Sequence, residues 1–237
     1  MYSHDGFCPC CEKAVTFTAA EDWYRDHLIC SNCNCLVRER ALALVLNELF
    51  PNWRTLRIHE SSPADRGISK KLRLQAPRYL ASHFFPDRKL GEFIGDFRNE
   101  NLEQQTFFDE IFDLVISLDV MEHVFEPKKV YQEIYRTLRK NGHYIHTFPI
   151  RKWQVESTVQ RAKLGQNGVV EHLVLPAEYH GNPIDSSGSL VTHDYGYDIA
   201  QQIAEWAPFD VRISRFWDHH HGIIGEYSEV IDCRKGQ

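Results

Sequence analysis

Residues 113–149 read DLVISLDVMEHVFEPKKVYQEIYRTLRKNGHYIHTFP, and the fold turns on how this stretch is read. Leu114, Val115, Ile116 and Leu118 make a short run, apolar on both faces of an extended chain. That pattern suits a central parallel strand. The run stops at Asp119. Pro127 suits the first turn of a helix, and Glu126 places negative charge at its positive end. Val130, Ile134 and Leu138 recur every four residues and give that helix one apolar face. Arg139 and Lys140 sit at its negative end, and Gly142 is expected to terminate it. Residues 143–148 then read as a second strand. The product is a β-α-β unit with a right-handed crossover. Open α/β sheets bind ligands outside the carboxyl ends of their strands, which singles out Asp119, Met121, Glu122 and His123. Asp119 and Glu122 are equally compatible with simply starting a helix.

The run DLVISLDVMEHV, a helix ending LRKNG and a strand ending in FP together resemble the fourth-to-fifth-strand segment of class I S-adenosylmethionine-dependent methyltransferases. The match is closest to the small-molecule subgroup with a DxxEH turn, and it extends over residues 54–149. The resemblance implies an α/β, Rossmann-like fold. Its sheet is doubly wound, mostly parallel and seven-stranded, closed by a terminal antiparallel hairpin. It also implies S-adenosyl-L-methionine as cofactor.

The resemblance directs the reading of the other strand ends. Residues 55–59 form the first strand by position, followed by Glu60, which matches the family's acidic start. Ser61 and Ser62 stand where the family carries glycines, and their small side chains permit close backbone approach. A helix starting near Ala64, and Arg66, are expected to face the methionine carboxylate. Residues 78–82 form the second strand. At its end His83 stands near where the family places a ribose-binding acid, with Asp87 four residues on. A neutral histidine can accept one such bond. After a weak strand at 93–96, Asn101 and Leu102 replace the family's adenine-binding Asp-Leu, and a short helix is expected to reach Phe107. The implied cofactor contacts are therefore Glu60, Ser61, Ser62, His83, Asn101, Leu102, Asp119 and Val120.

Residues 150–192 do not read as one regular element, although 151–163 is compatible with a helix. A long insertion beside the carboxyl edge of a sheet is a natural substrate-side feature. A proton acceptor for a hydroxyl or amine substrate would come from His123, His180 or His193. Residues 198–206 read as the last helix, and 211–217 with 223–233 as the closing hairpin. Between them lies Asp218-His219-His220-His221-Gly222.

Six of the seven cysteines fall within the first 35 residues. Cys8-x2-Cys11 and Cys30-x2-Cys33 flank an 18-residue spacer, the spacing of a four-thiolate structural Zn2+ site in a zinc-ribbon-like segment. Cys10 and Cys35 lie close enough in sequence to substitute as ligands. The chain thus divides into a zinc knob at 1–40, joined by a helix at 36–50 to a methyltransferase domain at 41–237. Residues 1–40 carry four basic against six acidic residues, and the whole chain 27 against 33, for a net charge of -6. Phosphate binding needs clustered Lys and Arg, so nucleic acid is not the expected partner. No apolar run approaches a membrane span, and the N-terminus lacks signal-peptide regions, so a cytoplasmic protein is expected. The reading is methyl transfer to a small-molecule or glycan-type acceptor. The alternatives are an inactive binding or regulatory module, and an RNA or protein methyltransferase that reads its substrate with the knob.

Overall fold

A computed structural model describes residues 1–152, 157–182 and 186–236. The chain opens with an antiparallel ribbon, β1 (Tyr2–Cys8) against β2 (Lys13–Ala19). The one-turn helix α1 (Tyr24–His27), the short strand β3 (Ile29–Cys30) and helix α2 (Val37–Leu49) follow. The main domain then runs through β4 (Ile58–Ser61), α3 (Gly67–Gln75), β5 (Tyr79–His83), β6 (Phe93–Ile94), β7 (Phe97–Asn99) and β8 (Phe112–Leu118). Next come a 3-10 turn (Met121–His123), α4 (Pro127–Thr137) and β9 (Leu138–Thr147). The insertion holds β10 (Val159–Gln160), β11 (Ala162–Leu164), β12 (Val170–His172), β13 (Tyr179–His180), β14 (Ser189–Leu190) and β15 (His193–Asp194). Helix α5 (Ile199–Trp206) and strands β16 (Phe209–Ser214) and β17 (Val230–Lys235) complete the chain.

The large sheet has the order β16-β17-β9-β8-β4-β5-β7-β6. The expected seven strands are present, and the two-residue β6 adds an eighth at the edge. Strands β7, β5, β4, β8 and β9 run parallel, and β17 enters antiparallel between β9 and β16. This is the doubly wound architecture implied by the resemblance. Two apolar cores flank the sheet. One unites the knob, α2 and α3 through Phe17, Leu42, Leu46, Trp53, Ile68 and Leu72. The other packs α4 and α5 through Val130, Tyr131, Ile134, Ile199 and Ile203. The strand order reverses beside β4, so the ligand crevice lies between the ends of β4 and β8.

Several local expectations change. Helix α4 stops at Thr137 rather than reaching Gly142, because Leu138 already pairs with Phe112 in the sheet. A register shift between Phe112 and Leu114, with Asn141 at φ 59°, absorbs the extra residues. The first strand starts at Ile58, after a 3-10 turn at Trp53–Thr55. Helix α3 begins at Gly67, not near Ala64. No helix forms at 102–107; Asn101 and Gln104 close a turn there instead. The helix expected over 151–163 is replaced by β10 and β11, whose neighbourhood is fixed when the Thr192 carbonyl accepts the Arg161 N–H at 2.7 Å. Residues 153–156 of that expectation lie outside the described residues. No helix among the described residues is long and apolar enough to cross a membrane.

Candidate active site

The crevice is built from the chain turns that leave β4 and β8. Ser62 adopts φ 55° and donates its backbone N–H to Ser82 at 2.7 Å. It therefore holds the left-handed turn for which glycine is the usual residue. Glu60 is fully buried and accepts hydrogen bonds from the Ser69 hydroxyl and, at 2.8 Å, from the Tyr79 hydroxyl. Burial pushes its carboxyl up to about 7, against the opposing effect of those two donors. Ser61 is buried beside it and pairs in register with Ser117 of β8.

Two groups expected at the methionine carboxylate are engaged elsewhere. The Gly67 N–H that opens α3 points to the Cys33 carbonyl at 3.3 Å, and Arg66 Nε donates to Glu39 at 3.0 Å. Gly67 takes φ 51°, and a Cβ there would lie 2.7 Å from the Cys35 Cβ and 2.6 Å from Glu39 Oε2. The knob therefore sits directly on the β4–α3 turn.

The knob also reaches the end of β8. Asp119, at φ 54°, accepts from Arg25 Nη2 at 2.7 Å and from the Thr147 hydroxyl at 3.0 Å, and pairs with the charge of Arg38, whose Nε lies 2.8 Å away. Burial alone would raise its pKa, but the two guanidiniums hold it well below the usual carboxylate range. Arg25 is only 5% exposed. Val120 packs half-buried beside it.

On the β5 side, His83 is buried and its ring meets Phe97 edge-on. Desolvation pulls its pKa down to about 4, so the ring is neutral and offers one acceptor. Asp87 is exposed. Asn101 Oδ1 accepts the Glu103 N–H at 2.9 Å, and Leu102 is buried in the core that also holds Phe107.

The insertion closes over the β8 turn. Thr192 donates its N–H to the Glu122 carbonyl at 2.7 Å, and the Tyr195 hydroxyl donates to the Met121 carbonyl at 2.8 Å. Arg151 and Arg161 bind Glu178 and Asp194 and tie the ribbons together. This brings His180 to His123, with ring centroids 5.1 Å apart. His193 is placed differently. It is buried, its Nδ1 lies 3.0 Å from the Thr192 hydroxyl, and its ring stacks on Tyr195. Burial lowers its pKa. Among the described residues no hydrogen bond or ring contact joins His193 to His123 or His180.

Sequence reasoning missed Arg25 and Arg38 as parts of this region, because both arrive from the knob segment, distant in the chain from the β8 turn.

In the knob, Cys8, Cys11, Cys30 and Cys33 form one group with their sulfurs within 4.8 Å of one another, and Cys8, Cys10 and Cys35 form a second. The Cys8–Cys33 and Cys11–Cys30 sulfur separations are 3.8 and 3.9 Å. Tetrahedral zinc with bonds of about 2.3 Å requires an edge of about 3.8 Å. Two edges of the first group thus have the length that a four-thiolate zinc centre needs. Cys35 Sγ lies 3.4 Å from Cys8 Sγ and 3.5 Å from the fully buried Arg40 guanidinium.

Residues 75–146 match the family described as a methyltransferase domain. No curated protein sequence matches the chain. An S-adenosylmethionine-dependent methyltransferase from Mesorhizobium loti superposes with a TM-score of 0.54 at 13% identity, covering 82% of this chain and 98% of that one. A protein from Pyrococcus horikoshii OT3 superposes at 0.53 with 16% identity, covering 84% and 89%. A glycopeptide N-methyltransferase complexed with sinefungin gives 0.51 at 12% identity, covering 84% and 94%. The chain has the Rossmann-like fold of the S-adenosylmethionine-dependent methyltransferases, and its central segment matches their domain, which supports that activity.

Proposed function

We propose that the protein is an S-adenosylmethionine-dependent methyltransferase acting on a small-molecule or glycan-type acceptor. The observation that carries the reading is the meeting of the β8 turn and the insertion at the carboxyl end of the sheet. There the insertion residue His180 stands against His123 of the DxxEH turn. The bound cofactor supplies an already activated methyl group. The chain's task is then placement of the acceptor in line with it.

The cofactor-holding residues in this proposal are Glu60, Ser61, Ser62, His83, Asn101, Leu102, Asp119 and Val120. The turn at Ser62 lets the backbone approach closely. His83 offers one ring nitrogen and Asn101 a remaining amide lone pair, while Leu102 and Val120 supply apolar walls. His123 and His180 form the acceptor-activating end. His193, neutral and stacked on Tyr195, is assigned to holding the insertion in place. Zinc at Cys8, Cys11, Cys30 and Cys33 is structural, since four protein ligands leave no open position. The polar insertion beside the carboxyl edge of the sheet supports a small-molecule or glycan-type acceptor. The acidic knob argues against a nucleic-acid substrate.

A second reading is favoured by one observation. Arg66 and the start of α3 are occupied by Glu39 and Cys33 of the knob segment. A binding module that kept the fold without the chemistry fits this occupation. Calorimetric titration with S-adenosylmethionine and S-adenosylhomocysteine separates the two. The expected result is micromolar binding of both. No heat at millimolar ligand, from folded zinc-loaded protein, favours the module.

A further inference from the structure

Glu122 is 2% exposed, and neither of its carboxylate oxygens has a hydrogen-bond partner. Its Oε1 lies 3.8 Å from His123 Nε2 and 3.7 Å from His180 Nδ1. The outer nitrogens of both rings are committed. His123 Nδ1 is 2.9 Å from the Leu190 carbonyl, and His180 Nε2 is 3.4 Å from a Glu178 carboxylate oxygen. A carbonyl and a carboxylate only accept, so each outer nitrogen carries its ring's proton. The inner nitrogens then present lone pairs, and both face a buried carboxylate. Three electron-pair donors thus converge with no donated hydrogen between them, an arrangement that a cation completes.

At 3.7 and 3.8 Å the separations are too long for hydrogen bonds, which end short of about 3.6 Å, and fit a shared ion better. Metal–nitrogen and metal–oxygen bonds of about 2.1 Å place ligand atoms about 3.0–3.4 Å apart at octahedral to tetrahedral angles. Closure by about 0.3–0.8 Å brings the two oxygen–nitrogen separations into range, and all three ligand atoms already lie within 4.8 Å of one another. Outer nitrogens bonded to a carbonyl and a carboxylate are the usual support of metal-ligating histidines.

We propose that Glu122, His123 and His180 form a divalent metal site, separate from the cysteine cluster. Two imidazoles and one carboxylate leave coordination positions open and suit Mn2+, Fe2+ or Co2+. Such positions take an oxygen of the acceptor, and that use rests on the methyl-transfer reading; metal binding does not. The competing arrangement is a proton on His180 Nδ1, which makes an ion pair with Glu122. Glu122 above all, and then Glu178, favour that proton and raise the His180 pKa against the opposing effect of burial.

The test is titration of the full zinc-loaded chain with Mn2+, followed by loss of the free-ion electron paramagnetic resonance signal. S-adenosylmethionine binding is measured in parallel. One Mn2+ per chain is expected. The isosteric Glu122→Gln and His180→Ala should weaken it by about 100-fold or more, and Glu178→Gln, in a half-buried position, by about 10–100-fold. No Mn2+ uptake at millimolar ion by the folded protein overturns the site and leaves the ion pair. So does uptake that Glu122→Gln and His180→Ala leave unchanged. Loss of cofactor binding with Mn2+ uptake intact refutes the methyl-transfer reading alone.

Discussion

Arg25 Nη2 lies 2.7 Å from Asp119 Oδ2, which joins the cysteine knob to the carboxyl end of the central strand β8. The acid of the DxxEH turn is therefore a structural anchor as well as a candidate cofactor contact. Arg38 shares the same oxygen at 2.8 Å. Asp119→Ala leaves two largely buried guanidiniums without this counter-charge, and the expected loss of stability is about 3–5 kcal/mol. Urea unfolding measures it. Limited proteolysis should show faster cleavage within the first 40 residues. Asp119 has a depressed folded pKa, so its stabilisation is complete above the unfolded carboxylate range, around pH 4. It is lost only as pH falls towards the folded value.

Glu60 titrates in the opposite sense. Burial raises its folded pKa to about 7, above an unfolded value of about 4.3. The ionised form is disfavoured in the fold, so stability is full below the unfolded value and declines as pH rises to about 7. Glu60→Gln removes the titration and keeps one oxygen acceptor, while the hydroxyl that faces the new amide nitrogen accepts from it instead. Unfolding curves from pH 4 to pH 8 should slope downward for the native protein more steeply than for this variant. Parallel slopes would show that Glu60 is not the group responsible.

Gly67 is confined from two directions. Its φ of 51° strains any side chain, and a Cβ there meets Cys35 and Glu39 at under 3 Å. Gly67→Ala should cost about 2–3 kcal/mol. Ser62→Gly, at φ 55°, should instead be neutral or stabilise by up to about 1 kcal/mol. Chemical denaturation of the pair tests whether the β4–α3 turn is pinned by the knob.

Metal removal from the knob should be felt in the crevice. Purified protein is expected to carry one zinc per chain, and Cys30→Ser should release it. Cys33 and Cys35 touch the start of α3, and Arg25 and Arg38 hold Asp119, so the loss should weaken S-adenosylmethionine binding at least about 10-fold and lower the melting temperature. Zinc content, calorimetry and thermal melts read the three effects. Unchanged cofactor affinity in the metal-free protein would separate knob from crevice.

The sequence alone determined the central β-α-β unit, the mostly parallel sheet with a closing antiparallel pair implied by its resemblance, and the grouping of the cysteines. Each is written in local periodicity or short spacing: four-residue repeats for α4, an unbroken apolar run for β8, paired CxxC steps. Helical spacing carries α4 too far, because a strand's claim on Leu138 is not visible in it. The tertiary structure alone decided which polar groups meet. Arg25 and Asp119 are 94 residues apart in the chain, and Glu122 meets His180 only because the insertion folds back over the β8 turn. Charge pairs and ligand sets depend on where whole elements pack. Side chains that meet across such distances leave no periodic mark on either segment, so the chemistry at the crevice emerges only when the two cores assemble on the sheet.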